Sequence, residues 1–383
     1  MAPLDLTSPL HVACAWSAII EPGDEAAGIL RQQLGDARAL EWILSKPTVD
    51  TLPSTIALDE AGRPRPWTQA INRWLPRVDT LNVEKDLEAL DRVGGHVVLP
   101  GHPEWPTELD DLAFAAPSAL WVRGSLSASA RIGIVGARAS TALGNSTARD
   151  FAWELAREGI DIVSGGAFGI DAAAHRGALT SGRTTAFMAG GVANLYPISH
   201  LDMFDSIIET GAVVSESPPH WRPARWRFLA RNRLIAAYSH ACVVIEAATR
   251  SGALATIRRA MDLNRPVGAV PGPITSASSR GCHEMIRNGV TLVTCAAEVR
   301  ELIDDIGEHL FDLDQQSPSG TGALAQLTQS QRRIFDALPV KRATTVAKIA
   351  SIAGLGTTEV LRETATLAMK GVVIIEGEHI RRV

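Results

Sequence analysis

Between residues 131 and 297 short apolar runs alternate with amphipathic stretches. The runs at 132–135, 160–163, 185–188, 212–214, 242–245, 266–270 and 290–293 are brief and rich in β-branched residues. They predict strands buried on both faces rather than helices. The stretches between them, such as 144–158 and 251–263, carry apolar residues at helical spacing. Strand and helix in alternation predict an α/β, doubly wound, mostly parallel sheet over residues 126–300. Residues 1–125 read as a mostly helical domain to about Leu90, with Pro-rich irregular segments at 47–66 and 100–117. Residues 301–323 are acidic and then run Ser-Pro-Ser-Gly-Thr-Gly, the makeup of a linker. Residues 324–383 predict helices near 328–338, 344–353 and 357–370 and a hairpin at 372–382, which is a winged-helix pattern.

Doubly wound sheets take ligands beyond the carboxyl ends of their strands. That rule selects Gly136-Ala-Arg138, the loop Ser164-Gly-Gly-Ala-Phe-Gly-Ile-Asp171, and the segment from Glu246 to Gly252. In the second loop the glycines are expected to turn N–H groups toward an anion, with Asp171 capping the next helix and His175 on the same side. A plain strand-to-helix turn accounts for these residues equally well. The loop is neither a G-x-G-x-x-G nor a Walker pattern. Glu216 and Glu246 both follow strands and are open to two readings, a carboxylate pair in the crevice or partners for arginines. Cys14, Cys242, Cys282 and Cys295 form no C-x-x-C pair and read as small buried residues. No catalytic residue, metal ligand set or cofactor is predicted.

With 37 basic and 42 acidic residues, the chain looks unsuited to a polyanion until the charge is divided. Residues 1–125 hold 10 basic and 18 acidic side chains, residues 126–300 hold 18 and 13, and residues 324–383 hold 9 and 5. Every central cation is Arg; a G+C-rich genome explains that as readily as ligand binding. Five arginines, Arg222, Arg225, Arg227, Arg231 and Arg233, lie among Trp221, Trp226 and Phe228 without an intervening acid. Guanidinium groups hold phosphates and ring faces stack bases, so one reading is a single-stranded nucleic-acid groove. The other is an Arg-rich segment whose rings fill a core and whose cations pair with distant carboxylates.

Ile134-Val-Gly-Ala-Arg138, the Ser164–Asp171 loop, Ala174-His175, Tyr196-Pro197, Ser215-Glu216, Arg231-Asn-Arg-Leu-Ile-Ala236, Glu246-Ala before Ser251-Gly-Ala-Leu-Ala-Thr256, and Ala269-Val-Pro-Gly-Pro273 occur in order. In this the chain resembles the DNA-processing protein A family (DprA, also called Smf), densely over 131–295. The resemblance implies an extended Rossmann-like fold that binds single-stranded DNA, forms a homodimer and loads the RecA recombinase during natural transformation. It implies phosphate binding by Arg138 and DNA contacts from Phe228, Arg231, Asn232 and Arg233. The same reading places Ser164, Gly165, Gly166, Phe168, Gly169, Arg222, Arg225, Arg227, Ser251 and Gly252 on the DNA side.

Two positions depart from the family pattern: Phe168 and Ile198 stand where basic residues are usual. Either binding through that pocket is weaker, or Arg222, Arg225 and Arg227 compensate. The N-terminal domain reads as a degenerate SAM or helix-hairpin-helix-like module in which Glu21, Asp24 and Glu25 repel phosphate. In the last helix Glu359 and Glu363 nearly cancel Arg362 and Lys370, so the winged helix is expected to meet protein rather than DNA. A rival is a nucleoside-monophosphate phosphoribohydrolase, whose P-G-G-x-G-T-x-x-E loop is here Glu246-Ala-Ala-Thr-Arg-Ser-Gly-Ala-Leu. No apolar run approaches the roughly 18 residues of a membrane span and no basic flank of a signal peptide is present, so a cytoplasmic location is expected.

Overall fold

The computed structural model describes residues 4–59, 63–304, 327–339, 343–370, 372–377 and 379–382. Residues up to Asp304 pack as one compact unit and those beyond as a second. The first opens with helices α1 (Pro9–Ile19), α2 (Glu25–Leu34), α3 (Asp36–Leu44), α4 (Ser54–Ala57), α5 (Trp67–Val78) and α6 (Val83–Asp91). Ser8, Asp24 and Asn82 cap α1, α2 and α6 by accepting from otherwise unpaired N–H groups. At the centre of this layer Trp74 meets Trp16 and Trp67 edge-on, with ring centroids 6.3 and 6.4 Å apart.

The sheet contains β1 (Gly95–Val98), β2 (Leu120–Gly124), β3 (Arg131–Gly136), β4 (Asp161–Ser164), β5 (Thr184–Phe187), β6 (Ala212–Ser215), β7 (Ala241–Ile245), β8 (Val267–Ala269) and β9 (Thr291–Leu292). Its order is β1-β2-β6-β5-β4-β3-β7-β8-β9. The seven strands from β6 to β9 run parallel, while β2 joins β6 and β1 joins β2 antiparallel. Helices α7 (Ala142–Arg157), α8 (Ile170–Leu179), α9 (Leu201–Thr210), α10 (Arg225–Tyr238), α11 (Gly252–Asp262), α12 (Arg280–Arg287) and α13 (Ala296–Arg300) complete the unit. The two-residue period of β3 sends Ile132 and Ile134 into one core with Phe151 and Leu155 of α7. Val135 enters another with Leu234 and Ile235 of α10 and Ile257 of α11.

The expected boundary at residue 125 falls inside this compact unit, between two strands of one sheet. The physical reason is that β1 and β2, within the segment read as helical and Pro-rich, extend the sheet. Trp121 of β2 is fully buried among the N-terminal helices. Its indole N–H donates to Ser17 Oγ at 2.9 Å, and that hydroxyl donates to the Glu216 carbonyl at 2.6 Å. Helix α1, β2 and the end of β6 are therefore joined by one hydrogen-bond chain.

The second unit holds α14 (Gln329–Ala337), β10 (Thr344–Thr345), α15 (Val346–Ala353), α16 (Thr357–Met369), β11 (Val373–Glu376) and β12 (His379–Arg382). Its antiparallel sheet, ordered β10-β12-β11, packs in one core with Ile334, Ile349, Val360 and Leu367, an arrangement consistent with a winged helix. A capping box between Thr328 and Gln331 starts α14. The expected acidic linker lies outside the described residues beyond Asp304. No helix among the described residues is long and apolar enough to cross a membrane.

Trp121→Ala removes a buried indole and the chain of bonds it anchors, and should destabilise the first unit by about 3–5 kcal/mol. Calorimetry should still show the N-terminal helices and the sheet melting together; a separate early transition of the helices would contradict the single compact unit.

Candidate functional site

Strand order reverses at β3, which has β4 on one side and β7 on the other. The loops leaving β3 and β7 diverge there and open a crevice of about 420 Å³. A Cβ on Gly136 would lie 1.9 Å from the Ile245 carbonyl oxygen, so glycine is what lets the two strand ends approach. Just beyond it Arg138 is exposed, and its guanidinium lies over the Phe228 ring at 4.8 Å. The far wall is the start of α11: Ser251 caps it by accepting from Ala253 N–H, Gly252 faces open space, and Asn232 Nδ2 donates to the Gly252 carbonyl at 3.2 Å.

The Ser164–Asp171 loop is folded inward rather than turned to an external anion. Ser164, Gly165 and Gly166 are buried. Ser164 Oγ donates to the Ile134 carbonyl at 2.6 Å, the Gly166 N–H donates to His175 Nε2 at 3.2 Å, and His200 Nδ1 bonds the Gly166 carbonyl at 3.1 Å. Asp171 takes the N–H groups of Gly165 and Ala167. It therefore fills the anion slot that a phosphate would need, and Gly169, with φ 80°, stands at the N-cap position expected of Asp171. Burial raises the Asp171 pKa against the lowering effect of the nearby Arg231 charge. His175 is buried as well, not turned to the crevice, and desolvation, helped by Arg231, pushes its pKa down to about 3. Thr184 Oγ1 donates to the Ile162 carbonyl, so it accepts from His175 Nδ1 at 2.7 Å, fixing the neutral Nδ1–H tautomer.

The arginines divide into two sets. Arg231 is buried, donates from Nη1 to the Phe187 carbonyl at 2.9 Å, and is lowered by burial to a pKa of about 10. A Cβ on Gly165 would meet that Nη1 at 1.6 Å, so Gly165 is the seat of Arg231. Arg233 is buried against Glu216 at 2.7 Å and donates twice to the Ala115 carbonyl. Arg227 forks onto Glu21 at 2.9 and 3.0 Å. Of the arginines expected on the DNA side, Arg231 and Arg233 are thus buried and Arg227 is half-buried, each held by a carboxylate or carbonyl elsewhere in the chain, although Arg231 still lines the crevice. Arg138, Arg222 and Arg225 face solvent without an ion pair among the described residues.

Glu21 also accepts from Arg77 and from Trp226 Nε1, and these bonds outweigh burial to lower its pKa. Asp24 accepts from Arg73 and Trp74. Two of the three acids expected to repel phosphate are consequently neutralised in place. Glu216 and Glu246 are not a carboxylate pair: Glu216 serves Arg233 and Gly23 N–H, whereas both oxygens of Glu246 accept from Thr141 at the start of α7.

Phe228 lines the crevice, and two exposed rings adjoin its lining residues Ala167 and Phe228. Phe168 is 49% exposed, its ring 4.8 Å from His200, and Tyr196 is 47% exposed and 6.1 Å from Phe228. Trp226 is 60% and Ile198 74% exposed. Sequence reasoning did not single out Tyr196 as a site residue; its signal was the Tyr-Pro pair beside an unusually apolar Ile198.

A family model described as DNA recombination-mediator protein A matches residues 96–304. A putative DNA processing protein DprA from Mycobacterium tuberculosis is 43% identical over 305 residues, 75% of this chain and 76% of the relative. Protein Smf of Escherichia coli is 38% identical over 57% of this chain and 60% of its own length. The X-ray structure of DNA processing protein A from Streptococcus pneumoniae aligns with a TM-score of 0.61 and 26% identity, covering 78% of this chain and 99% of that one.

The His175 environment predicts a pH dependence. The folded imidazole, at about 3 against an ordinary 6.5, binds fewer protons than the unfolded one. Its contribution to stability is therefore present above pH 6.5 and lost as pH falls from there toward 3. Nitrogen-15 NMR should show an Nδ1–H tautomer unchanged from neutral pH down to about 4; titration near pH 6.5 would show the ring to be solvated.

Proposed function

The chain belongs to the DNA recombination-mediator protein A family of DNA-processing proteins, and we propose that it binds single-stranded DNA across the crevice, without catalysis, as a recombination mediator. Supporting this is one juxtaposition: Arg138, in no ion pair among the described residues, lies over the Phe228 ring in the crevice, Tyr196 packs edge-on against that ring, and Phe168 stands exposed next to Ala167, which lines the crevice. Phosphates meet Arg138, Arg222 and Arg225, and bases stack on the rings, so sequence preference is low. Gly169, Asn232, Ser251 and Gly252 shape the walls. In the same proposal the protein works in the cytoplasm as a homodimer that passes the strand to RecA during natural transformation, and the winged helix meets a protein partner. That Glu216 and Glu246 are committed to Arg233 and Thr141 weighs against the phosphoribohydrolase reading.

Single strands should bind more tightly than duplex at physiological salt, because stacked bases are closed to the rings. Arg138→Ala should weaken binding and lower the salt slope by about 0.7, the value for one phosphate on a single strand. Equal affinity for the two forms, or an unchanged slope, would contradict the assignment.

Phe168→Ala should cost about 1–3 kcal/mol of binding if its half-exposed ring stacks a base. A neutral result would mean that the ring is a spacer and that Arg222 and Arg225 compensate for the missing basic group; the double replacement of those two by Ala would then nearly abolish binding.

A further inference from the structure

A second cavity, of about 400 Å³, opens between the N-terminal helices and the segment that leads into α10. Arg77 of α5, Lys85 of α6, and His220, Trp221, Arg222 and Arg227 line it. Its deep wall is preset. Glu21 receives Arg77 and both Nε and Nη2 of Arg227. The two guanidinium groups lie against the Trp221 ring at 4.9 and 4.2 Å. Lys85 and Arg222 add two more cations, both exposed and neither in an ion pair among the described residues. The carboxylate in the wall, Asp86, is buried and engaged by His220 Nδ1 at 2.8 Å. Four cations thus converge on one cavity against Asp86 and the Glu21 carboxylate behind it, leaving an excess of positive charge among the described residues. A diffuse surface charge has no such walls; here an aromatic ring and a helix layer exclude water from one side and strengthen attraction for an anion.

We propose that this cavity is a second phosphate site, which takes the phosphate of a nucleotide unit on Lys85 and Arg222. The phosphate belongs either to the strand bound at the crevice, continuing from Phe228 past the start of α10 to Arg222, or to a free nucleotide. In its first form the inference rests on the single-strand reading. Only there does the strand pass from the sheet onto the N-terminal helices, giving that layer a part in binding.

Lys85→Ala is the test, because the side chain is exposed and unpaired and its loss leaves the fold intact, as an unchanged melting temperature should verify. Affinity and salt slope are measured for oligothymidylates of about 6 and about 20 nucleotides, a range that brackets one compact site. Thymidine monophosphate is titrated in parallel by phosphorus-31 NMR. For the longer strand, affinity should fall about tenfold and the slope by about 0.7, with Lys85→Arg restoring both. The shorter strand, filling the crevice alone, should bind as before. A Lys85-dependent shift of the monophosphate with unchanged strand binding would assign the site to free nucleotide. If Lys85→Ala changes neither ligand while Arg138→Ala still weakens strand binding, the second site is wrong and the crevice reading stands. If Arg138→Ala also has no effect, the two fail together.

Discussion

The buried pair of Arg233 and Glu216 is the constraint on which the rest of the first unit depends. Its carboxylate stands at the end of β6, also receives the N–H of Gly23 after α1, and faces a guanidinium that donates twice to the Ala115 carbonyl. Four chain segments therefore share one charge pair. Such a pair adds little net stability, because removing both ions from water costs several kcal/mol each. Its effect is on geometry: a shift of α10 that separated the partners would leave an uncompensated charge in the interior. With Arg233 fixed, Arg231 two residues earlier falls onto Gly165 and Phe187, and Arg227 a turn before that reaches Glu21. The first turn of α10, carrying Arg225, Trp226 and Phe228, is then the part presented outward.

The same logic explains why the glycine loop is not an anion cradle. Its N–H groups are arranged as one would be, yet the anion is the chain's own Asp171, with Arg231 nearby to lower its cost of burial. Neutral His175 completes the floor. The loop contributes rigidity beneath the crevice, and the surface chemistry comes from what stands above it, Arg138 on Phe228 and the ring of Phe168. A guanidinium already seated on a ring loses less side-chain freedom on meeting a phosphate, so under the proposed function the Arg138 contact is preorganised.

The parallel strands were legible because burial on both faces leaves short uninterrupted apolar runs, as at 132–135 and 242–245. β1 and β2 were not, since they flank a Pro-rich stretch and join the sheet antiparallel, and the helical pattern before them suggested a separate domain. For the site, residue type was readable and orientation was not. Ser164 and its glycines looked like ligand groups because the loop follows a strand in a doubly wound sheet, but whether N–H groups turn outward depends on Asp171 inside the next helix. Likewise Arg227 and Arg138 are equally cationic on paper. What separates them is Glu21, 206 residues away from Arg227 in the chain, and no local pattern carries that pairing.

Net charge is consequently a poor guide to what this surface attracts. The overall value of −5 includes acids such as Glu21, Asp24 and Glu216 that are consumed by internal pairs, as are several of the arginines opposite them. At physiological salt an exposed charge is felt over about 8 Å. An anion near the exposed Arg138, Arg222 or Arg225, none of them in an ion pair among the described residues, therefore responds to that cation and hardly to acids on distant helices. Because Glu21 is held between Arg77 and Arg227 with its pKa lowered, it stays ionised as pH falls into the ordinary carboxylate range and keeps those arginines in place. An acid that looked repulsive in the sequence thereby fixes the base of α10 and leaves the positive field beside it to the cations that are free.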